Sequence, residues 1–241
     1  MSESQPIRQE GITFIGEKDK YLQKLAQAKL PIELEHLRHQ IPWPLDMTDP
    51  RVHLALFYGD KDFTDPEHLR LHKGIDVQLP KETVIFALEP GRVAKVDPEN
   101  YPTGGLRRQL TDITFFGDSG LVYHLCHIYT PSVPENLMKT YRRRLRDLEA
   151  RRGIMNREVT VNQGDYLGTV GIFYNRFNAK RGFSSLPQEV IVPADVRKVY
   201  GRSYNHLHIE IITTPAERYW YDRLRAKLTD VNPLPLLQKL Y

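Results

Sequence analysis

The segment NHLHIEI, residues 205–211, sets His206, His208 and Glu210 at every second position and Leu207, Ile209 and Ile211 between them. In a strand, residues i, i+2 and i+4 share a face. One face is therefore expected to be apolar, and the other to carry two imidazoles and a carboxylate. A second group lies in LHKGIDVQLP, where His72 and Asp76 stand four apart across a glycine and a strand is expected from Ile75. Histidine and carboxylate suit zinc, and catalytic zinc sites typically use three protein ligands with the fourth position open to water. His72 and Asp76 would supply two ligands and NHLHIEI the third. A third histidine-bearing strand, LVYHLCHIY, contributes His124 and His127. The other four of the nine histidines, at 36, 39, 53 and 68, read as structural.

A single cysteine, Cys126, excludes an intramolecular disulfide framework and any multi-cysteine zinc site. A metal would have to be held by histidine and carboxylate. Cys126 beside His127 suggests a thiol nucleophile only superficially, since neighbours on a strand point to opposite faces.

The elements that must position these groups follow from pattern and punctuation. In residues 17–40 leucines recur at helical spacing around Leu22, Leu25, Leu34 and Leu37, with Pro31 dividing two short helices. IPWPLDMTDP is an extended connection. From Val52 to Gly120 short strands alternate with turns: HLALFYG, GIDVQLP, VIFALEPGRVAKVD and DITFFGDSG. Residues 134–153, PENLMKTYRRRLRDLEARRG, form an amphipathic helix with a basic outer face. Strands resume with REVTVNQGDYLGTVG, a loop-like stretch precedes the histidine strand, and PAERYWYDRLRAKL reads as a further helix. The class expected is mainly β, α+β overall: a compact antiparallel sheet core with added helices. The divisions expected are 1–50 (helical and extended), 51–214 (the β domain, with insertions at 131–156 and 172–200) and 215–241 (a helix and tail).

The chain of 241 residues is 40% hydrophobic and 27% charged, the balance of a folded globular protein. Net charge is +4, with the basic residues concentrated in the 134–153 helix. That tolerates an anionic partner without requiring one, and no nucleic acid is expected. No apolar run approaches the roughly 20 residues of a membrane-spanning helix. The N-terminal residues lack a basic segment followed by an apolar one, so no signal peptide is visible.

Five blocks in order, HKGID, then VIFALEPGRVAKV, a strand ending in histidine, VNQGDYLGTVG and HLHIEI, resemble the lysostaphin-type zinc endopeptidases that cut peptidoglycan cross-bridges. The resemblance spans about residues 52–214, apart from two insertions. It implies an antiparallel β core with Zn²⁺ held by His72, Asp76 and His208. It also implies that His206 joins the histidine of the family's YxHL motif in handling the water and the developing oxyanion. Counting from Gly120 puts His127 at that position, with His124 the alternative. The two have opposite strand phase, so only one can face the groove unless a bulge intervenes. Glu210 shares the ligand phase and could orient a metal-binding imidazole, or could be a solvent-facing or salt-bridged residue.

The chemistry implied is hydrolysis of a stem or cross-bridge peptide by water that the metal acidifies, with the neighbouring imidazoles moving the proton. The resemblance implies a cell-envelope or secreted location if the N-terminus is processed or truncated, and a cytoplasmic one otherwise. The family's Gly-Pro before HLHFE is Tyr204-Asn205 here, Ile209 replaces its Phe, and the insertions would reshape the groove walls. Two other readings stay open: a binding or regulatory protein on the same scaffold, and a zinc hydrolase with a non-wall peptide substrate.

Overall fold

The computed structural model describes residues 15–62, 70–80, 82–98, 110–138, 158–171, 205–213 and 229–241. The expected basic helix (beyond residue 138), most of the two insertions and the expected helix after residue 214 lie outside these.

Helix α1 spans Ile15–Gln27. A short 3₁₀ helix, Ile32–Leu37, follows Pro31, whose fixed φ and missing N–H suit the start of a helical run. The strands are β1 (His53–Leu56), β2 (Lys61–Asp62), β3 (Arg70–Leu71), β4 (Ile75–Gln78), β5 (Val84–Phe86) and β6 (Gly91–Pro98). After these come β7 (Leu110–Gly117), β8 (Val122–Tyr129), β9 (Val159–Val161), β10 (Tyr166–Thr169), β11 (His206–Ile212) and β12 (Asp230–Val231).

The main sheet runs β1-β4-β11-β8-β7-β6-β9, with β12 paired to β11. Every pairing in it is antiparallel. Two smaller ladders, β10-β5 and β2-β3, complete the strands. The fold is mainly β. Among the described residues no helix is long and apolar enough to cross a membrane.

Alternation explains how the sheet buries one face. Leu207, Ile209 and Ile211 on β11, Ile75 and Val77 on β4, and Tyr123 and Leu125 on β8 are fully buried. Burying one such aliphatic side chain contributes about 2 kcal/mol. The C-terminal residues belong to this core: Leu234, Leu236 and Leu237 are buried, and Ile41 bridges Leu237.

Register carries the site. His208 on β11 lies opposite Asp76 on β4 and opposite Cys126 on β8, so three strands place three side chains in one row. Glu210 lies opposite His124 in the neighbouring row. Facing residues of an antiparallel pair hold their Cβ atoms about 5 Å apart, close enough for direct contact.

Candidate metal centre

His72 precedes β4 and is held by its backbone. Its N–H donates to the Asp60 carbonyl at 2.8 Å, and its own carbonyl accepts from the Gly59 N–H at 2.8 Å. The Asp60 carboxylate accepts from the Phe57 N–H at 3.1 Å and binds Lys24, which ties the loop to α1. The glycine of HKGID has a steric cause. A Cβ on Gly74 would stand 2.3 Å from the Ile209 carbonyl oxygen and 3.0 Å from the His208 ring, so any side chain there would push β11 away.

Three ligand atoms converge. His72 Nε2 lies 3.1 Å from Asp76 Oδ1 and 3.0 Å from His208 Nδ1, and His208 Nδ1 lies 2.7 Å from Asp76 Oδ1. Zinc with bonds of about 2.0 Å spaces tetrahedral ligands about 3.3 Å apart. The triangle is that size, and its corners belong to the residues needed.

The outer nitrogens decide which inner atoms are acceptors. His72 Nδ1 is 3.2 Å from the Phe57 carbonyl, which can only accept, so it carries the hydrogen and leaves the Nε2 lone pair facing inward. His208 Nε2 is 3.1 Å from Glu210 Oε1, a carboxylate, so Nε2 carries a hydrogen and, in the neutral ring that would bind a metal, Nδ1 would face inward as a lone pair. Two imidazole lone pairs and a carboxylate oxygen within about 3 Å repel one another unless a positive charge joins them. The donor set fits a divalent ion.

The charges agree. Burial alone would raise the Asp76 carboxyl, but the adjacent His206 and the contacts with the His208 and His72 rings hold it well below the usual range. Glu210 is likewise depressed, burial being outweighed by its contacts with His124 and His208. His208 would be lowered by burial, yet the Asp76 and Glu210 carboxylates push it up to about 10. Without an ion the proton on His208 offsets the Asp76 charge, and a divalent ion would have to displace that proton to bind.

His206 and His127 flank the triangle. Their ring centroids are 4.4 Å apart, edge to face, and His206 Nε2 stands 3.9 Å from Asp76 Oδ2. Burial lowers His127 to about 4, more than Asp112 opposite raises it, so its ring is neutral.

Strict alternation from His124 to His127 does not survive in the structure. Thr111 pairs with Ile128 but Ile113 with Leu125, so β8 carries one extra residue at Cys126-His127. His127 adopts φ +70°, uncommon for a side-chain-bearing residue. This bulge turns His127 toward His206 while His124 stays on the same face, 3.2 Å from Glu210 Oε2 through Nδ1. His124 is therefore not a structural histidine on the opposite face, as alternation alone would make it. Glu210 is neither solvent-facing nor paired with one partner: one oxygen meets His208 and the other His124.

Two participants escape sequence reasoning: the Phe57 carbonyl, a backbone atom without a residue signature, and Asp112, a polar position in an otherwise unremarkable strand.

No family model matches the chain, and no curated protein matches it. Among solved structures the chain is similar to Csd3 of Helicobacter pylori, at 12% identity and a TM-score of 0.42, covering 83% of this chain and 35% of that one. It is similar to the catalytic domain of lysostaphin from Staphylococcus simulans, at 14% identity and a TM-score of 0.40, covering 76% and 89%. It is also similar to the SpoIIQ-SpoIIIAH pore-forming complex, at 15% identity and a TM-score of 0.43, covering 84% and 93%.

Proposed function

We propose that the chain is a zinc-dependent endopeptidase of the lysostaphin type, hydrolysing peptide bonds in peptidoglycan stem or cross-bridge peptides. The observation that carries this reading is the convergence of two imidazole nitrogens and a carboxylate oxygen, 2.7–3.1 Å apart, with the outer ring nitrogens held by acceptors. His72, Asp76 and His208 would hold the ion, and Glu210 and the Phe57 carbonyl would orient the two imidazoles. Bound there, zinc would acidify water and polarise a carbonyl.

The remaining work falls to side chains of this chain. His206 and His127 lie against each other beside the ligand triangle. A neutral imidazole accepts a proton at one nitrogen and donates from the other, so this pair can take a proton from the attacking water and give a hydrogen bond to the carbonyl oxygen as it gains charge. Burial of both rings strengthens such interactions by excluding water. The choice of a wall peptide as substrate rests on the resemblance of the ordered blocks HKGID, VNQGDYLGTVG and HLHIEI to the lysostaphin-type endopeptidases, while the insertions would reshape the groove walls that select it.

The test is metal content together with hydrolysis of purified peptidoglycan and of defined stem and cross-bridge peptides. About one tightly held zinc at this site and chelator-sensitive cleavage are expected. His206→Ala should keep that zinc and lose about 10²-fold or more in turnover. Cleavage that survives both chelation and His208→Ala would overturn the reading. Tight zinc without cleavage of any peptide would favour the binding or regulatory role.

A further inference from the structure

A second cluster lies beyond Glu210, on strands β7 and β8. His124 Nε2 stands 3.8 Å from Asp112 Oδ2 and 3.8 Å from Cys126 Sγ. All three ligand atoms fall within 4.8 Å of one another. We propose that Asp112, His124 and Cys126 form a second cation site, separate from the first, that takes a thiophilic divalent ion such as zinc, cobalt or cadmium.

The tautomer argument applies again. His124 Nδ1 is directed at Glu210 Oε2, 3.2 Å away, which only accepts. In the neutral ring Nδ1 therefore carries the hydrogen, and the Nε2 lone pair faces the sulfur and the carboxylate. Tetrahedral zinc, with bonds of about 2.0 Å to nitrogen and 2.3 Å to sulfur, sets those two atoms about 3.5 Å apart. The nitrogen–sulfur separation of 3.8 Å is close to that spacing, and side-chain rotation would have to draw in the remaining pair, which lies within 4.8 Å.

Cys126, His124 and Glu210 also resemble a nucleophile, base and orienting carboxylate. Asp112 decides between the two readings. A carboxylate beside the sulfur opposes formation of a thiolate, so it weakens a nucleophile. With a cation between them, both anionic groups become ligands, and soft thiolate favours zinc over magnesium or calcium. Binding releases the thiol proton to solvent. The cluster is reachable: the Asp112 side chain is 25% exposed and that of His124 15%. Glu210 then serves two sites, with one oxygen on His208 and the other on His124, so a single buried carboxylate would orient an imidazole in each.

The chain has one cysteine, so any thiolate–metal signal belongs to Cys126. The experiment titrates the full chain, stripped by chelation, with cobalt and cadmium, following stoichiometry and thiolate-to-metal charge-transfer absorption. Wild type should bind two equivalents with the thiolate band. His72→Ala should bind one and keep the band. Cys126→Ser should bind one and lose it. Asp112→Asn, which preserves the shape of the side chain, should weaken the thiolate-linked equivalent by about tenfold or more. Saturating zinc should protect Cys126 from alkylation in both wild type and His72→Ala, a readout that needs no substitution at the cluster. Saturation without a thiolate band, a band that vanishes in His72→Ala, or alkylation indifferent to metal would each overturn the second site. One equivalent with the band in wild type, unchanged by His72→Ala, would sustain the second site and overturn the first.

Discussion

Two polar clusters, one partly buried around Glu89 and reaching β8 through Tyr123, the other on β4 and β11 around Asp76, differ in their balance of donors and acceptors. Around Glu89 the balance closes. The carboxylate accepts from the Ser119 N–H at 3.0 Å, from the Ser119 hydroxyl at 2.6 Å and from the Tyr123 hydroxyl. The chain even makes room for it, since a Cβ on Gly117 would stand 2.0 Å from Glu89 Oε1. Burial, then the adjacent Glu89, pushes the Tyr123 hydroxyl well above its usual range, so it remains a donor. Around Asp76 the balance closes through a single proton: a carboxylate oxygen and two imidazole nitrogens face one point, and the hydrogen on His208 Nδ1 joins them. The first arrangement is a structural joint and needs nothing more. The second gathers three potential ligand atoms around one exchangeable proton, a set that a cation could take over.

The largest test of this contrast is His208→Ala. It removes a ligand and should cost about 5 kcal/mol of transition-state stabilisation, roughly a 10⁴-fold fall in kcat/KM for peptide hydrolysis. Next is chelation. An ion present at about a thousand times its Kd stabilises the folded chain by about 4 kcal/mol, so stripping it should lower the denaturation midpoint correspondingly. Glu89→Ala should act oppositely in kind. It should cost about 2 kcal/mol of stability by orphaning the Ser119 and Tyr123 donors, while metal stoichiometry stays unchanged. A Glu89 variant that lost metal would break the distinction.

The smallest effect concerns the loop that presents His72. Burial opposes ionisation of Asp60, but Lys24, the Phe57 N–H and Lys20 prevail, and its carboxyl is lowered overall. A depressed carboxyl contributes stability above its unfolded value of about 3.9, lost as pH falls through the lower folded value. Asp60→Asn should therefore cost about 1 kcal/mol at neutral pH. The gap between wild type and variant should close below about pH 4 in acid denaturation.

Much of this was legible in the residues, for a physical reason: alternation. The strands of GIDVQLP and NHLHIEI alternate apolar and polar residues because one face packs into the apolar core and the other carries the polar groups, and that same period puts His206, His208 and Glu210 together. Pairing across strands was not legible, so the row Asp76–His208–Cys126 emerges only from the register. The bulge at Cys126-His127 was not legible either. It depends on a positive φ at a residue whose type gives no hint of it, and it brings two histidines of opposite phase to one face. The Asp112 cluster stayed hidden for a related reason. A lone aspartate in DITFFG has no spacing partner in sequence; its neighbours come from β8.

The central claim concerns one coordination sphere, and zinc K-edge X-ray absorption reads it directly. On the Cys126→Ser chain loaded with one equivalent, the account predicts two imidazoles and a carboxylate oxygen at about 2.0–2.1 Å, with that signature lost in the additional His208→Ala background. A tightly bound ion whose spectrum is unchanged by His208→Ala, or no tightly bound ion at all, would contradict it.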